Sequence, residues 1–222
     1  MWLILTVAIF LAAQWVYAKK KKSYLLPVFT TTIVMIVLLL VSGQSYEPYY
    51  ETAQWVDWLL GPAVVALSYP LYKHRKMLMK NGVKIVSWVV VATAISIVTG
   101  AFVLWLFQVG DSFVVTAMLK NITAPVAIDL AEIYGGIPAL TAVICTLAGM
   151  LGAVVGPPIY RRLNIKSSLA KGVAMGATSH AIGTSRLMEE DDYAGAISTL
   201  SFLVVTLIMP IIVPVLVYLM VG

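Results

Sequence analysis

Charged side chains are scarce in this sequence. Asp, Glu, Lys and Arg make up only 11% of its 222 residues, whereas 61% are hydrophobic and the mean hydropathy is +0.95. A soluble globular domain carries about 25% charged residues, so this chain lacks the side chains that a water-exposed surface requires. The composition excludes an ordinary soluble protein and indicates an integral membrane protein that contacts the lipid bilayer.

Cysteine is almost absent, and low-complexity sequence is missing. The single cysteine, Cys145, lies in an apolar run and cannot form an intramolecular disulfide. Without low-complexity tracts, neither a disordered nor a fibrous protein is expected. His180 has no histidine or cysteine at ligand spacing, and basic and aromatic residues do not interleave as in nucleic-acid-binding proteins. We therefore expect no metal, no cofactor and no nucleic-acid partner.

Hydrophobic stretches occupy most of the chain. A helical crossing needs about 20 apolar residues. Two of the stretches, 112–134 and 168–188, are interrupted by hydroxyl and ionisable residues, the first of them also by Pro and the second also by Gly. The clear stretches are 2–18, 25–43, 58–72, 85–108, 137–160 and 193–221. The pattern predicts an all-α polytopic membrane protein with about 6–8 hydrophobic segments, two of them broken or re-entrant half-helices.

This pattern also predicts the domain organisation. We expect a single transmembrane domain over 1–222, because no linker-like composition interrupts the chain. Within it we expect an N-terminal helix pair in 1–57 and a core in 58–222. The helices of that core should break near 119–125 and near 176–185.

Basic residues are concentrated in three clusters. The clusters 19–22, 73–84 and 161–171 contain all but two of the 15 lysine and arginine residues. Basic residues in short loops mark the cytoplasmic side of a membrane. The first cluster follows the stretch 2–18 rather than preceding it, which distinguishes that stretch from a signal peptide. We predict a retained first helix with the N-terminus outside, in a multi-pass protein of the inner (cytoplasmic) cell membrane.

The clusters also limit the number of crossings. If 73–84 and 161–171 are both cytoplasmic, the chain crosses the membrane an even number of times between them. The stretches 85–108 and 137–160 already supply two crossings, so 112–134 is predicted to enter and leave on one side. For the second interrupted stretch a full crossing and a re-entrant element both stay open. The sequence therefore does not decide on which side of the membrane the following acidic loop and the C-terminus lie.

Apart from Lys171, which belongs to the third basic cluster, four charged residues lie in or at the end of the interrupted stretches: Lys120, Asp129, Glu132 and Arg186. A charge at the bilayer centre costs about 2.5–3.5 kcal/mol on insertion scales, so such residues usually face a cavity and are functional candidates. Asp129 and Glu132 are three residues apart and share a helical face, where they could hold a proton or a cation. Alternatively, Glu132 lies at the external interface and Asp129 pairs with Lys120 or Arg186.

The first interrupted stretch contains a proline that breaks a helix. Pro125 removes a backbone donor, so a helix that ends near Leu119 and a second that starts near Pro125 are expected. Lys120, Asn121 and Thr123 lie in the gap, where the second helix would direct its positive N-terminal dipole. This arrangement suits a carboxylate. The alternative is a proline kink in a packed helix, with Lys120 snorkelling to the interface.

The second interrupted stretch combines small, hydroxyl and ionisable residues. Gly183 is the expected point of unwinding, and His180 can donate a hydrogen bond to a carboxylate or carry a proton near neutral pH. Further candidate binding residues here are Thr178, Ser179, Thr184 and Arg186. The glycines are equally explained by close helix packing. Ser179 is adjacent to His180 on a helix and does not face it, so a nucleophilic enzyme is not expected.

These two stretches resemble the LrgB/CidB family of antiholin-like membrane proteins, which includes a fused plastidial glycolate/glycerate transporter of plants. The resemblance covers most of the chain and is strongest from Met118 to Pro214. It rests on Lys120, Thr123, Pro125, Gly135-Gly136-Ile137-Pro138, Gly156-Pro157, His180, Gly183-Thr184 and Arg186, and on Leu59-Leu60-Gly61-Pro62-Ala63 and Pro70-Leu71-Tyr72. The chain departs from the family at Asn121 and Ala124, where relatives usually carry Ser and Thr.

The resemblance implies two alternative functions. The first is a transporter that moves a small carboxylate such as pyruvate, glycolate or glycerate by alternating access. Asn121, Thr123 and Pro125 in one stretch, and Thr178, Ser179, Gly183 and Thr184 in the other, would form the site with Lys120, His180 and Arg186. Proton or ion coupling would fall to His180, Asp129 or Glu132. The second function is an antiholin-like regulator of murein hydrolase activity and cell lysis, acting with a holin-like LrgA/CidA-type membrane partner. A homodimer is compatible with either function.

Overall fold

The computed structural model describes residues 2–20 and 22–220, and it contains helices and no strand in that part of the chain. Contacts divide the chain into two compact units, with the boundary between Tyr69 and Pro70. Among the described residues, four helices are long and apolar enough to cross a membrane: Trp2–Lys20, Arg75–Leu106, Pro138–Arg162 and Asp192–Leu219. The prediction of an all-α polytopic membrane protein is confirmed.

Four helices lie entirely within the described residues of the first unit. They are α1 (Trp2–Lys20), α2 (Pro27–Ser42), α3 (Tyr46–Asp57) and α4 (Leu60–Ala66), and a short 3-10 turn over Ser23–Leu25 precedes α2. Proline fits the first turn of α2 because it has no backbone donor to leave unsatisfied there. Gly43 ends α2 in the left-handed conformation, with φ of 63°.

The apolar stretch 58–72 differs from its prediction as one continuous segment. It forms α4 and a second short helix, α5 (Ser68–Lys73), of seven and six residues. Neither is long enough to cross a bilayer on its own, because a crossing needs about 20 residues. Hydrophobicity alone did not indicate this interruption.

The second unit holds the remaining helices. They are α6 (Arg75–Leu106), α7 (Asp111–Met118), α8 (Ala124–Tyr134), α9 (Pro138–Arg162), α10 (Ser168–Met188) and α11 (Asp192–Met220). One face of α6 is buried at every fourth residue, as expected for a helix packed along its length. That face consists of Ile85, Val89, Thr93, Ile97 and Ala101.

The helices α7 and α8 form a hairpin. The backbone N–H of Ile137, just after α8, donates a hydrogen bond of 2.9 Å to the Thr116 hydroxyl near the end of α7. Gly135 closes α8 with φ of 79°, and the N–H of Gly136 donates to the oxygen of Ala131. The two helices therefore run in opposite directions, as an element that enters and leaves on one side requires.

The helix α10 is also a hairpin. Its backbone leaves helical geometry at His180, with φ of 38° and ψ of −139°. The Ser168 hydroxyl at its start donates a 2.7 Å hydrogen bond to Asp191, just beyond its end. A straight helix of 21 residues would hold these ends about 30 Å apart. The chain therefore turns back at His180 and does not cross the unit.

The position of this turn corrects the prediction for Gly183. Gly183 keeps regular helical geometry in the second arm of α10, and the non-helical residue is His180. A side chain at Gly183 would overlap Ser179 and Met175 on the first arm. Glycine is used here for the close approach of the two arms, and not for unwinding.

The loop 189–192 fixes which helix ends lie together. Asp192 pairs with Lys73 and His74 before α6, and Glu190 pairs with Arg161 at the end of α9. The basic clusters 73–84 and 161–171 are thus at the same end of the second unit. The α10 hairpin starts and finishes at that end. The α7–α8 hairpin lies at the other end of the unit, where it connects the end of α6 to the start of α9.

Candidate functional site

The tips of the two hairpins meet inside the second unit. Asn121, in the gap between α7 and α8, donates a 3.1 Å hydrogen bond to the backbone oxygen of Ala177 in the first arm of α10. Its amide group also donates to the Ser96 hydroxyl on α6. The side chain is only 4% exposed, so these partners replace the water that a buried amide would otherwise need.

Lys120 brings a cation to the same place. Its Nζ donates a 2.6 Å hydrogen bond to the backbone oxygen of Ser96, and the residue is half-buried. Gly100, one turn further along α6, leaves room for the ammonium group, which a side chain there would crowd. Among the described residues no carboxylate lies within 4 Å of this Nζ. A half-buried cation with only backbone oxygen near it is suited to an anionic ligand.

The N-terminus of α8 borders the gap. Thr123 is the N-cap residue in an extended conformation, and Pro125 lies in the first turn, as predicted. The Thr123 hydroxyl makes no capping hydrogen bond and is half-buried, whereas Pro125 is exposed. The first-turn amides of a helix lack intrahelical acceptors and carry a partial positive charge. They add to the positive potential beside Lys120.

His180 lies at the tip of α10 and contacts α9. Its Nε2 is 2.9 Å from the backbone oxygen of Cys145, and the residue is 6% exposed. Since a carbonyl oxygen only accepts, this geometry assigns the hydrogen to Nε2. The Cys145 thiol in turn donates to the backbone oxygen of Leu119 at 3.2 Å. Cys145 therefore links the tip of one hairpin to the tip of the other.

Two glycines of α9 make this approach possible. A side chain at Gly149 would overlap the imidazole ring of His180, and one at Gly152 would overlap Ser179. Both overlaps would arise because the first arm of α10 packs directly on the backbone of α9. The bend at His180, with its positive φ, is held by this packing, since a non-glycine residue adopts such a conformation only at a cost.

The three candidate hydroxyl residues of α10 differ in burial and in hydrogen-bond partners. Thr184 is buried, and its hydroxyl donates to the backbone oxygen of His180 and pairs with Ser198 on α11, each at 2.7 Å. Ser179 is also buried, with its hydroxyl 3.1 Å from that of Thr178. Thr178 is exposed and donates to Ala174 of its own helix. Thr184 thus stabilises the bend, and Ser179 lies beside it.

The other predicted charges lie elsewhere. Arg186 is six residues beyond the bend, and its guanidinium group pairs with Glu189 and Glu190 at the base of the hairpin. Asp129 and Glu132 are exposed on α8. In the described part of the chain neither carboxylate lies within 4 Å of a cationic side chain. The structure brings together Lys120, Asn121, Ser179 and His180, but it does not form the pairs considered for Asp129.

Two residues of the site were missed by sequence reasoning. Ser96 accepts hydrogen bonds from both Lys120 and Asn121, and Cys145 connects His180 with Leu119. Ser96 gave no signal, because one serine in an apolar helix is common. Cys145 was noticed only as a residue without a disulfide partner. Over the described residues no group of three His, Cys, Asp or Glu side chains could hold a metal ion.

Comparison with known proteins identifies the family to which the chain is similar. The model of the LrgB-like family matches residues 6–219. The chain is 38% identical to the uncharacterized protein YxaC of Bacillus subtilis, over 90% of this chain and 86% of that protein. It is 30% identical to the holin-like protein CidB of Staphylococcus epidermidis, over 98% of this chain and 95% of that protein. No solved structure matches the chain.

Proposed function

Since the chain belongs to the LrgB-like family, we propose that it carries a small carboxylate, such as pyruvate, glycolate or glycerate, across the membrane by alternating access. The observation that carries the proposal is the contact of Asn121 with Ala177, which joins the tips of two opposed hairpins beside Lys120. Interrupted helices that meet near the middle of a membrane are how many secondary transporters bind anions.

Each side chain has a distinct role in this proposal. Lys120 and the N-terminus of α8 hold the carboxylate group, and Asn121 and Thr123 contact the rest of the substrate. On the α10 side the contributors are Thr178, Ser179, His180, Gly183 and Thr184. Arg186 can join them only after it leaves its glutamate partners, so we assign it to the opening of the hairpin as well as to binding.

Coupling of transport to protons would use an ionisable group near the site. His180 is the first candidate, because its ring lies at the tip of the α10 hairpin and donates to the backbone oxygen of Cys145. Asp129 and Glu132 are the alternatives, since both are exposed on α8 and accessible from outside the core. The proposal involves no enzymatic reaction.

The orientation follows from the charges. The end of the second unit that carries the clusters 73–84 and 161–171 is cytoplasmic by the positive-inside rule. The α10 hairpin then enters from the cytoplasm and the α7–α8 hairpin from outside. In this orientation α11 ends outside. For the N-terminus we rely on the cluster 19–22 alone, which by the same rule puts the N-terminus outside in a protein of the cytoplasmic membrane. Each hairpin could open its own side in turn.

The test is uptake of labelled pyruvate and glycolate into proteoliposomes. The Lys120→Met variant keeps the length of the side chain and removes its charge, and Lys80→Ala removes an exposed charge from α6 as the matched control. We expect Lys120→Met to lower uptake at least about 10-fold, because it removes a charge-assisted contact, and Lys80→Ala to transport normally. Absence of substrate-dependent flux in the wild type, with and without a pH gradient or an LrgA/CidA-type partner, would refute transport.

A second candidate function is favoured by the name of one relative, holin-like protein CidB. In this alternative the chain regulates murein hydrolase activity and lysis by assembly with a holin-like membrane partner. Lys120→Met would then leave lysis unchanged wherever the complex still forms. Co-purification with the partner, measured beside uptake on the same variants, separates the two functions. A homodimer is tested in the same experiment by cross-linking.

A further inference from the structure

A cavity lies at the base of the α10 hairpin, away from the tips. Its volume is about 380 Å³, and it opens between the end of α9 and the start of α10. The polar residues that line it are Tyr160, Arg161, Asn164, Lys166, Lys171 and Glu190. None of them belongs to the proposed transport site.

The wall of this cavity has an excess of positive charge. Arg161, Lys166 and Lys171 face a single carboxylate, that of Glu190. Glu190 already pairs with Arg161 and with Arg186, so its charge is compensated. Lys171 is attracted by Asp191, whose carboxylate also accepts hydrogen bonds from Ser168 and from the Ala194 N–H. Among the described residues neither Lys166 nor Lys171 has a carboxylate within 4 Å of its Nζ, so both can attract an additional anion.

The backbone turn that precedes Lys166 is well defined. Asn164 has φ of 53°, and the N–H of Ile165 donates to the Tyr160 oxygen at 2.8 Å, which is the closing turn of a helix end. Asparagine tolerates this left-handed conformation better than most residues. The Tyr160 hydroxyl donates to the backbone oxygen of Lys171 at 3.4 Å and ties this turn to α10.

We propose that this cavity binds a phosphate-bearing anion. Clustered Lys and Arg side chains between helices on the basic side of a membrane protein recognise phosphate headgroups. The same chemistry fits two sources, an anionic phospholipid of the surrounding membrane and a soluble phosphate compound. Ile159 and Leu163, which precede the lining residues Tyr160 and Asn164 in the sequence, have exposed apolar side chains. A bound phosphate bridges α9 and α10 and holds the base of the hairpin closed.

The experiment uses the whole purified protein. Phospholipid retention is measured by native mass spectrometry from nanodiscs of phosphatidylcholine, with and without phosphatidylglycerol. Binding of inorganic phosphate is measured in neutral detergent by the shift in thermal unfolding. The test variant is Lys166→Ala with Lys171→Ala, and the control is Lys80→Ala with Lys84→Ala, which removes two exposed charges of α6.

We expect the test variant, and not the control, to weaken binding at least about 10-fold. Selective loss of phosphatidylglycerol identifies a lipid site, and selective loss of phosphate binding identifies a soluble ligand. Equal loss in the two variants would show only general surface charge and would overturn the proposal, as would no binding of either probe to the wild type. Unchanged circular dichroism of both variants shows that folding is retained. The outcome does not depend on whether the protein transports a carboxylate.

Discussion

The amide of Asn121 donates to the backbone oxygen of Ala177 across 3.1 Å, and this bond joins two hairpins that enter the second unit from opposite ends. Neither hairpin crosses the unit, so the polar groups at their tips depend on each other for hydrogen-bond partners. In a membrane interior such groups have no water to replace a lost partner. The contact is therefore structural as well as a candidate for substrate binding.

Replacement of Asn121 by alanine should destabilise the protein. The variant leaves the Ala177 oxygen and the Ser96 hydroxyl without this donor, at an expected cost of about 1–2 kcal/mol. Asn81→Ala is the control, because Asn81 is bonded mainly to Met77 of its own helix and is not at the tips. Thermal unfolding in detergent measures both. Equal losses would show that the contact between the hairpins contributes nothing specific.

Methyl groups added to α9 should displace the tip of α10. Gly149→Ala and Gly152→Ala would overlap His180 and Ser179, and we expect each to cost about 1–3 kcal/mol. Gly82→Ala on α6 meets nothing within 4 Å and should be stabilising by up to about 1 kcal/mol, because alanine favours a helix. Stability of all three is measured by thermal unfolding. Neutral substitutions at 149 and 152 would contradict the close packing of α9 and α10.

At the bend, replacement of His180 by glycine should give a more stable protein than replacement by alanine, the reverse of their usual order within a helix. Both His180→Ala and His180→Gly lose the hydrogen bond to Cys145, but only glycine adopts φ of 38° without strain. We expect the glycine variant to be about 1 kcal/mol more stable than the alanine variant, whereas within a regular helix alanine is the more stable. The difference is measured by unfolding of the two variants in parallel. Greater stability of the alanine variant would indicate a continuous helix.

The base of the α10 hairpin should weaken in acid. Burial opposes ionisation of Asp191, but the Ser168 hydroxyl, the Ala194 N–H and the charge of Lys171 outweigh it and lower the pKa of Asp191. Because the folded-state pKa is the lower one, the stabilisation is complete above an unfolded-state pKa of about 4. It is lost as the pH falls through the folded-state pKa.

Hydrogen exchange of the segment 168–191 between about pH 3 and pH 6 measures this effect. Ser168→Ala should reduce the pH dependence, since it removes one of the bonds that favour the carboxylate. Asp191→Asn should abolish it. An unchanged profile in both variants would exclude Asp191 as its source.

Single cysteines should confirm which ends lie together. In a Cys145→Ser background, Lys76→Cys, Asn164→Cys and Glu189→Cys should react with an impermeant thiol reagent from one side of the membrane. Phe107→Cys, at the other end of α6, should react from the opposite side. Reaction of the cysteines at 76 and 164 from different sides would mean that the α7–α8 segment crosses fully. Reaction of the cysteines at 164 and 189 from different sides would mean that α10 crosses the membrane fully.

The sequence predicted the first break far better than the second. Pro125 acts locally, and α8 begins at Ala124 beside it, with Thr123 as its cap. The turn at His180 has no proline or glycine of its own. It results from tertiary contacts such as Ser168 with Asp191, which join residues 23 apart and leave no periodic signal.

The polar contacts of the site were predicted less well. Lys120 and Asn121 were found because charged and amide side chains are rare in apolar segments. Their partner Ser96 was not found, and neither was the role of Cys145, because both act through backbone oxygens or ordinary small side chains. Arg186 was expected to bind the carboxylate, whereas it pairs with Glu189 and Glu190. Both glutamates follow it within about one helical turn, a spacing that favours such pairs.

The two hydrogen bonds of Asn121 also impose an order on biogenesis. Ser96 is synthesised before Asn121, so one bond can form as soon as the α7–α8 hairpin leaves the ribosome. Ala177 follows Asn121 by 56 residues, and the second bond must wait for α9 and the first arm of α10. Until then the Asn121 amide can bond to Ser96 but not to Ala177. The polar contacts of the α7–α8 hairpin are thus complete only after the first arm of α10 has been synthesised.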